Sequence, residues 1–248
     1  MTPPEAADAP GTLALTSAAV LTPWGEAADG LPGAAPVKLP KVKGFLGSRF
    51  SPLVHAVAQA CLGEAQTFAG PDGKAGHRTG IVVATLFADT TTTDTSTRRV
   101  MEGQVHNPLL FFQSVTTSVL GHLGKVYGIR GPFNCVSGVA DLAAEALGLA
   151  RVVLDSGDVD QLLVVGVECA PNERAAWVHG SLSEKAPLDR LPAGDTAVAL
   201  LLRRAAAEDG LPRAGLAADT IRPEWTEAFG WLTPLVATAE AAYPSTAS

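Results

Sequence analysis

Aromatic residues supply only 6% of the 248 positions, and there are two methionines and three cysteines. Lys and Arg number 18 against 25 Asp and Glu, for a net charge of −7. Each shortage excludes something. Without a Lys/Arg cluster the chain lacks the positive field that nucleic-acid binding needs, so no nucleic acid is expected as a partner. Cys61, Cys135 and Cys169 are odd in number, widely spaced and free of any Cys-x-x-Cys pair. That argues against a disulfide framework or a zinc site and fits a reducing cytoplasm. Neither a metal nor a cofactor is expected. No apolar run approaches the ~18 residues of a membrane span. The opening MTPPEAADAPG has no basic n-region and no apolar h-region. The chain reads as a soluble cytoplasmic protein.

Ala, Val, Leu and Gly are plentiful, and 47% of the chain is hydrophobic. A sizeable core is within reach, in one large domain or two small ones. Residues 1–11, rich in Pro and Ala and acidic, are expected to be disordered. Leu13 to Leu21 predicts a strand closed by the turn Thr22-Pro23-Trp24-Gly25, and residues 26–44 predict a loop. Ser51 to Phe68 predicts one helix, with Leu53, Val54, Val57, Ala58, Cys61, Leu62 and Ala65 at helical spacing. GIVVATLF (Gly80 to Phe87) and TAVALLLRR (Thr196 to Arg204) predict buried strands. DTTTTDTSTRR (Asp89 to Arg99) predicts a loop running into a helix start, and Phe111 to Gly128 a segment helical in its middle. Alternating strands and helices imply an α/β architecture with a mainly parallel sheet and flanking helices.

GPFNCVSGVADLAAEALGLARVVLDSGDVDQLLVVGVE (Gly131 to Glu168) reads as strand, Cys135, helix and strand. Cys135 is expected at, or one turn before, the helix N-terminus. There unpaired amides and the macrodipole would favour a thiolate and could hold an oxyanion. The same position equally suits a small buried residue filling the elbow. On the helix, Asp141, Glu145, Gly148, Arg151 and Asp155 fall on one stripe of roughly 120°. The rest, Val139, Leu142, Ala143, Ala146, Leu147, Leu149, Ala150, Val153 and Leu154, is apolar enough to lie between two layers.

Several stretches together resemble the β-ketoacyl synthases of the thiolase-like superfamily. VLTPWG (Val20 to Gly25) is similar to the VVTPLG turn that ends the family's first strand. NPLLFFQSVTTSVLGHLGKVYGIRGPFNCVSG resembles the family's approach to its nucleophile, with Gly121-His122, Gly128 to Pro132 and Cys135 to Gly138 in the matching places. DSGDVDQLLVVGVE resembles RRGEADVMLAGGAE, and AGDTAVALLLRR stands where the family has GEGAGVLVLE. The likeness covers roughly residues 12–204, with Phe133-Asn134 replacing Thr-Ala before the cysteine.

The resemblance implies a thiolase-like fold, represented by a single N-terminal-type half over 12–204. Residues 205–248 are then expected to form a partly helical tail packed on the domain or a partner. Active ketosynthases carry histidines, or a histidine and an asparagine, in a second half. His122 matches a structural Gly-His, His55 lies in a helix, His77 and His106 lie in loops, and His179 comes in the wrong order. The resemblance therefore implies little independent condensing activity. It implies instead a chain-length-factor-type subunit of fatty acid, polyketide or aryl polyene biosynthesis. Such a subunit pairs with a full-length ketosynthase as a heterodimer, or with itself as a homodimer, and meets acyl carrier protein through the ketosynthase. Gly131, Pro132, Phe133 and Asn134 are the implied dimer edge; Phe111, Phe112 and Phe133 are implied tunnel or gating residues, or core packing. The carrier would need a basic patch, for which Arg98-Arg99, Lys38 to Lys43 and Arg203-Arg204 are candidates, although each reads first as solvated charge. The alternative is a stand-alone acyltransferase or thioesterase using Cys135 as acyl acceptor.

Overall fold

The computed structural model describes residues 12–69, 72–104, 107–206, 210–215 and 221–244. The segment expected to be disordered, 1–11, and His106 lie outside the described residues. Three buried strands organise the fold: β2 (Thr79–Ala84), β4 (Gln161–Glu168) and β5 (Thr196–Arg204). With β1 (Leu13–Leu21), β3 (Phe133–Val136) and β6 (Arg213–Ala214) they form a six-stranded sheet in the order β3-β2-β4-β5-β1-β6. β3, β2 and β4 are mutually parallel; β5 runs against both β4 and β1, and β6 against β1. The expectation of parallel order thus holds for β1 to β4, with β5 and β6 reversed.

Apolar residues continue through the inner strands, so both faces of the sheet must be covered. Ile81, Val83, Leu163, Val165, Ala199 and Leu201 pack on one side with α1 (Phe50–Leu62) and α5 (Ser118–Tyr127). Val82, Ala84, Leu162, Val164, Leu200 and Leu202 face the other side. There α6 (Leu142–Asp155) covers the parallel strands and α9 (Thr233–Ala242) covers β1 and β5.

The helix expected over Ser51 to Phe68 is two: α1 ends at Gly63, whose φ is 72°, and α2 spans Ala65–Ala69. The threonine stretch expected as a loop running into a helix start is helical from Thr90 on, in α3 (Thr90–Met101). Asp89 caps it by accepting from the Thr92 amide at 2.9 Å, and Thr95 and Thr97 turn their hydroxyls onto the carbonyls of Thr91 and Thr93. Those bonds satisfy hydroxyls that would otherwise compete with the helix backbone. The segment Phe111 to Gly128 is helical in its middle as expected, over α5, and the end of α4 (Pro108–Ser114) precedes it. α4 is capped by Asn107 and stops at an extended Val115, before α5 begins.

In α6, Leu142, Ala143, Ala146, Leu147, Ala150 and Leu154 are buried, and Leu149 and Val153 are partly buried. Glu145, Gly148, Val152 and Asp155 form the exposed stripe, so Val152 takes the place expected of Arg151. The remaining elements are α7 (Glu173–Ser183) and α8 (Pro223–Phe229). Gly230, at φ 53°, turns the chain between α8 and α9, where any side chain would run into the Arg190 carbonyl. Trp225, Phe229, Trp231, Leu232, Leu235 and Val236 all enter the core beside α6.

Phe229 is fully buried in this layer. Its replacement by alanine is expected to lower unfolding stability by about 3–5 kcal/mol, measured by urea denaturation. A loss under 1 kcal/mol would contradict the packing described.

Candidate functional site

β3 is the sheet's edge, paired only with β2. The Pro132 carbonyl accepts from the Ile81 amide at 2.9 Å and the Val136 carbonyl from the Thr85 amide at 3.2 Å. Parallel ladders use alternate residues, so the even-numbered positions bond β2 and the backbone N–H and C=O of Phe133 and Cys135 point to the open edge. Gly131 anchors the strand's start through its amide on the Thr79 carbonyl at 2.9 Å.

Side chains alternate across the sheet. Val136 joins the core beneath α6, whereas Phe133 lies on α5. A Cβ on Gly124 would sit 2.6 Å from the Phe133 ring, so only glycine leaves room for it there. Period-two alternation puts Cys135 on the same face as Phe133, and both are exposed, with Asn134 half-buried between them. Phe111 and Phe112 project from α4 and are 59% and 47% exposed. The Phe112 ring lies 5.5 Å from that of Phe45. Leu109 and Val115 extend this apolar surface.

The expected placement of Cys135 at a helix N-terminus is corrected. Cys135 lies inside β3, and residues 137–141 separate it from Leu142, the first residue of α6. The amides at the start of α6 are already used: those of Asp141 and Leu142 donate to the Asp189 carboxylate at 2.9 and 2.8 Å. Cys135 is separated from that helix end by the loop 137–141, so the helix dipole does not act on the sulfur at close range. Although its surface is exposed, enough protein surrounds the thiol to push its pKa up rather than down. Among the described residues no base or acid is hydrogen-bonded to it. The His55 and His122 rings meet at a 58° tilt with centroids 5.2 Å apart, and burial lowers the pKa of both. His77 sits in the short turn Ala75–Arg78. His179, on α7, has Nε2 2.8 Å from the Asp189 carbonyl and its ring against Phe87. Among the described residues there is also no group of three His, Cys, Asp or Glu able to hold a metal.

The sequence reading missed Glu168, the last residue of β4. Its carboxyl is 2% exposed and accepts from the Leu86 amide at 2.7 Å, the Phe87 amide at 3.3 Å, the Thr85 hydroxyl and Trp231 Nε1 at 3.2 Å. These donors end β2 at Ala84, three residues short of the strand expected to reach Phe87. Ser137 in turn donates to the Leu86 carbonyl at 3.0 Å. Glu168 thereby joins the loops after β2 and β3 to the indole of Trp231. Burial outweighs the donors and pushes its pKa up to about 7. Asp195 plays a similar role at the start of β5, pairing with Arg49 and accepting from the Ala170 amide at 2.8 Å. The signal for Glu168 was present as a lone carboxylate closing the apolar run LLVVGV.

No family model matches the chain, and no curated protein does either. Solved structures do. The ishigamide ketosynthase/chain length factor aligns at TM-score 0.59 and 18% identity, covering 82% of this chain and 64% of its own. The ketosynthase (ApeO) in complex with its chain length factor (ApeC) from Xenorhabdus doucetiae gives 0.55 and 20%, with 79% and 80% covered. A β-ketoacyl synthase from Burkholderia phymatum STM815 gives 0.57 and 16%, with 93% and 71% covered. The chain therefore has the thiolase-like fold of ketosynthases, and its match spans 64% of the first of these structures.

With a folded pKa of about 7 against 4.5 when free, Glu168 binds its proton more tightly in the folded state. The stability this adds is fully present below about pH 4.5 and is lost as pH rises through about 7, a change of about 3 kcal/mol. Denaturation curves of wild type and Glu168→Gln across that window are expected to differ in slope, the variant lacking this decline. Equal slopes would contradict it.

Proposed function

We propose that the chain is a chain-length-factor-type subunit that pairs with a full-length β-ketoacyl synthase in cytoplasmic fatty acid or polyketide biosynthesis, aryl polyenes included. The observation that carries this reading is an unpaired edge strand and exposed apolar side chains on a fold shared with ketosynthase/chain-length-factor assemblies. β3 offers the Phe133 and Cys135 backbone groups to a partner strand, with Gly131, Pro132 and Asn134 framing them. On this reading Phe111, Phe112 and Phe133, all exposed, are the side chains offered to the partner's acyl chain. Self-pairing through the same strand is the homodimer form of this interface. Acyl carrier protein is met through the ketosynthase.

The chemistry of Cys135 supports a supporting role rather than a catalytic one. Its thiol is raised in pKa and has no imidazole partner among the described residues, so it is poorly suited to accept an acyl group at neutral pH. Acyl transfer or hydrolysis by the chain alone draws no support. No helix among the described residues is long and apolar enough to cross a membrane.

Two substitutions at one position separate edge pairing from thiol chemistry. Cys135→Pro removes an edge-facing N–H and leaves the β2 ladder intact, whereas Cys135→Ala removes only the sulfur. Co-expressed with a full-length β-ketoacyl synthase to which the wild-type chain binds, the alanine variant is expected to co-purify as wild type does and the proline variant to lose association at least tenfold. Wild type that never associates, or a proline variant that associates normally while folded by circular dichroism, would contradict the reading.

A further inference from the structure

The donors that close in on Glu168 differ in how they are held. The Leu86 and Phe87 amides and the Thr85 hydroxyl belong to the loop after β2, and the sheet pins that loop. The Thr85 amide donates to the Val136 carbonyl at 3.2 Å, the Ala88 amide to the Thr85 hydroxyl at 2.9 Å, and Ser137 to the Leu86 carbonyl at 3.0 Å. The remaining donor, Trp231 Nε1, sits on a side chain that lines a cavity of about 270 Å³. Asp141, Arg190, Thr226 and Pro234 line it too, and it has room for several waters. Asp141 and Arg190 are exposed, so the cavity communicates with solvent. The indole stands between that cavity and the buried carboxyl.

The backbone at Trp231 is held in place. Its amide donates to the Arg190 carbonyl at 2.8 Å, and the Thr233 hydroxyl donates to the Gly230 carbonyl at 2.7 Å. The indole can still turn about its own side-chain bonds, into the cavity it already lines. That rotation gives up one hydrogen bond of 3.2 Å and lets water reach the carboxyl. An ionised carboxylate gains far more from water than a neutral carboxyl does. The charged groups on the surrounding elements are committed elsewhere. Asp89 caps α3 and accepts from Ser48, Asp195 pairs with Arg49, and Asp189 caps α6 while its carbonyl meets His179. Asp141, Glu145 and Arg190 lie in solvent, and burial pushes the adjacent Cys169 thiol well above its usual range. Among the described residues none of these groups is hydrogen-bonded to Glu168.

We propose that Trp231 is a gate set by the Glu168 proton: the indole stays closed over the protonated carboxyl and swings into the cavity when the carboxyl ionises, admitting water to it. In the closed form Glu168 Oε1 turns its O–H toward the Thr85 hydroxyl, 3.4 Å away, and Oε2 keeps the Leu86 amide and the indole. Ionisation passes the proton to water; the two amides still hold the carboxylate, and water takes the place of the indole. Burial behind the indole keeps the proton on to about pH 7, against about 4.5 in water. Opening therefore rises with pH across that window and levels off above it. The gate needs no partner chain, so it holds whether or not the chain pairs with a ketosynthase.

Hydrogen exchange of the indole N–H groups, sequentially assigned by NMR in the full chain, reads the gate. After correction for the intrinsic rate at each pH, protection of the Trp231 indole is expected to fall about tenfold between pH 6 and pH 8. The Leu86 and Phe87 amides, which stay on the carboxylate, are expected to keep their protection. In Glu168→Gln, which cannot ionise, the indole should be equally protected at both pH values. The Trp177 indole, 72% exposed, supplies the unprotected reference. Three results would overturn the gate: a Trp231 indole whose protection does not change, the same fall in Glu168→Gln, or Leu86 and Phe87 amides that lose protection in parallel with the indole. Should Glu168→Gln fail to fold, the wild-type indole and amides decide.

Discussion

The inner strands of this sheet are apolar on both sides, and a sheet of that kind is stable only when it is covered twice. α1 and α5 cover one face; α6 covers part of the other, over the parallel strands. The remaining stretch, beside β1 and β5, is closed by Phe229, Leu232, Leu235 and Val236. Burying large apolar side chains is the dominant favourable contribution to folding, and here two layers share it. With both faces closed, the long side of β3 is left as an exposed sheet edge.

Glu168 links these layers to the surface. Its carboxyl meets two backbone amides and a hydroxyl from the loop after β2 and an indole from the second cover. Through Leu86 the same loop holds Ser137, two residues beyond Cys135. A single buried carboxyl therefore sets the shape of the chain at the carboxyl edge of the parallel strands. Cys135 shares that edge without the electrostatics a nucleophile needs, because it lies inside β3, seven residues before α6 begins, and burial raises its pKa. In the proposed assembly the cysteine sits on the pairing strand and the condensing chemistry belongs to the partner.

Much of this architecture was legible in the sequence. GIVVA, LLVVGV and AVALLL are runs that only a sheet buried on both faces accommodates, and their order between helical segments fixed the fold class. The resemblance around Gly121-His122 and Cys135 placed the edge strand. The failures have local causes. Threonines have modest helix propensity, so the first turns of α3 read as a loop until Asp89 capped it and Arg98 paired with Asp94. β2 ended early because Glu168, distant in sequence, captured the amides of Leu86 and Phe87. Cys135 was set too near the helix because a spacing of seven residues says nothing about the loop that fills it. The cap from Asp189 to Asp141 and Leu142 bridges 48 and 47 residues, beyond what periodicity can reveal.

The account turns on the open side of β3, and backbone hydrogen exchange reads that side directly. In the free chain the Phe133 and Cys135 amides are expected to exchange rapidly, while the amides of Asn134 and Val136, bonded to β2, are protected. On mixing with a full-length β-ketoacyl synthase that it binds, the Phe133 and Cys135 amides should become protected while the other two change little. A stable complex that leaves the Phe133 and Cys135 amides exchanging as fast as before would contradict edge pairing as the basis of the assembly.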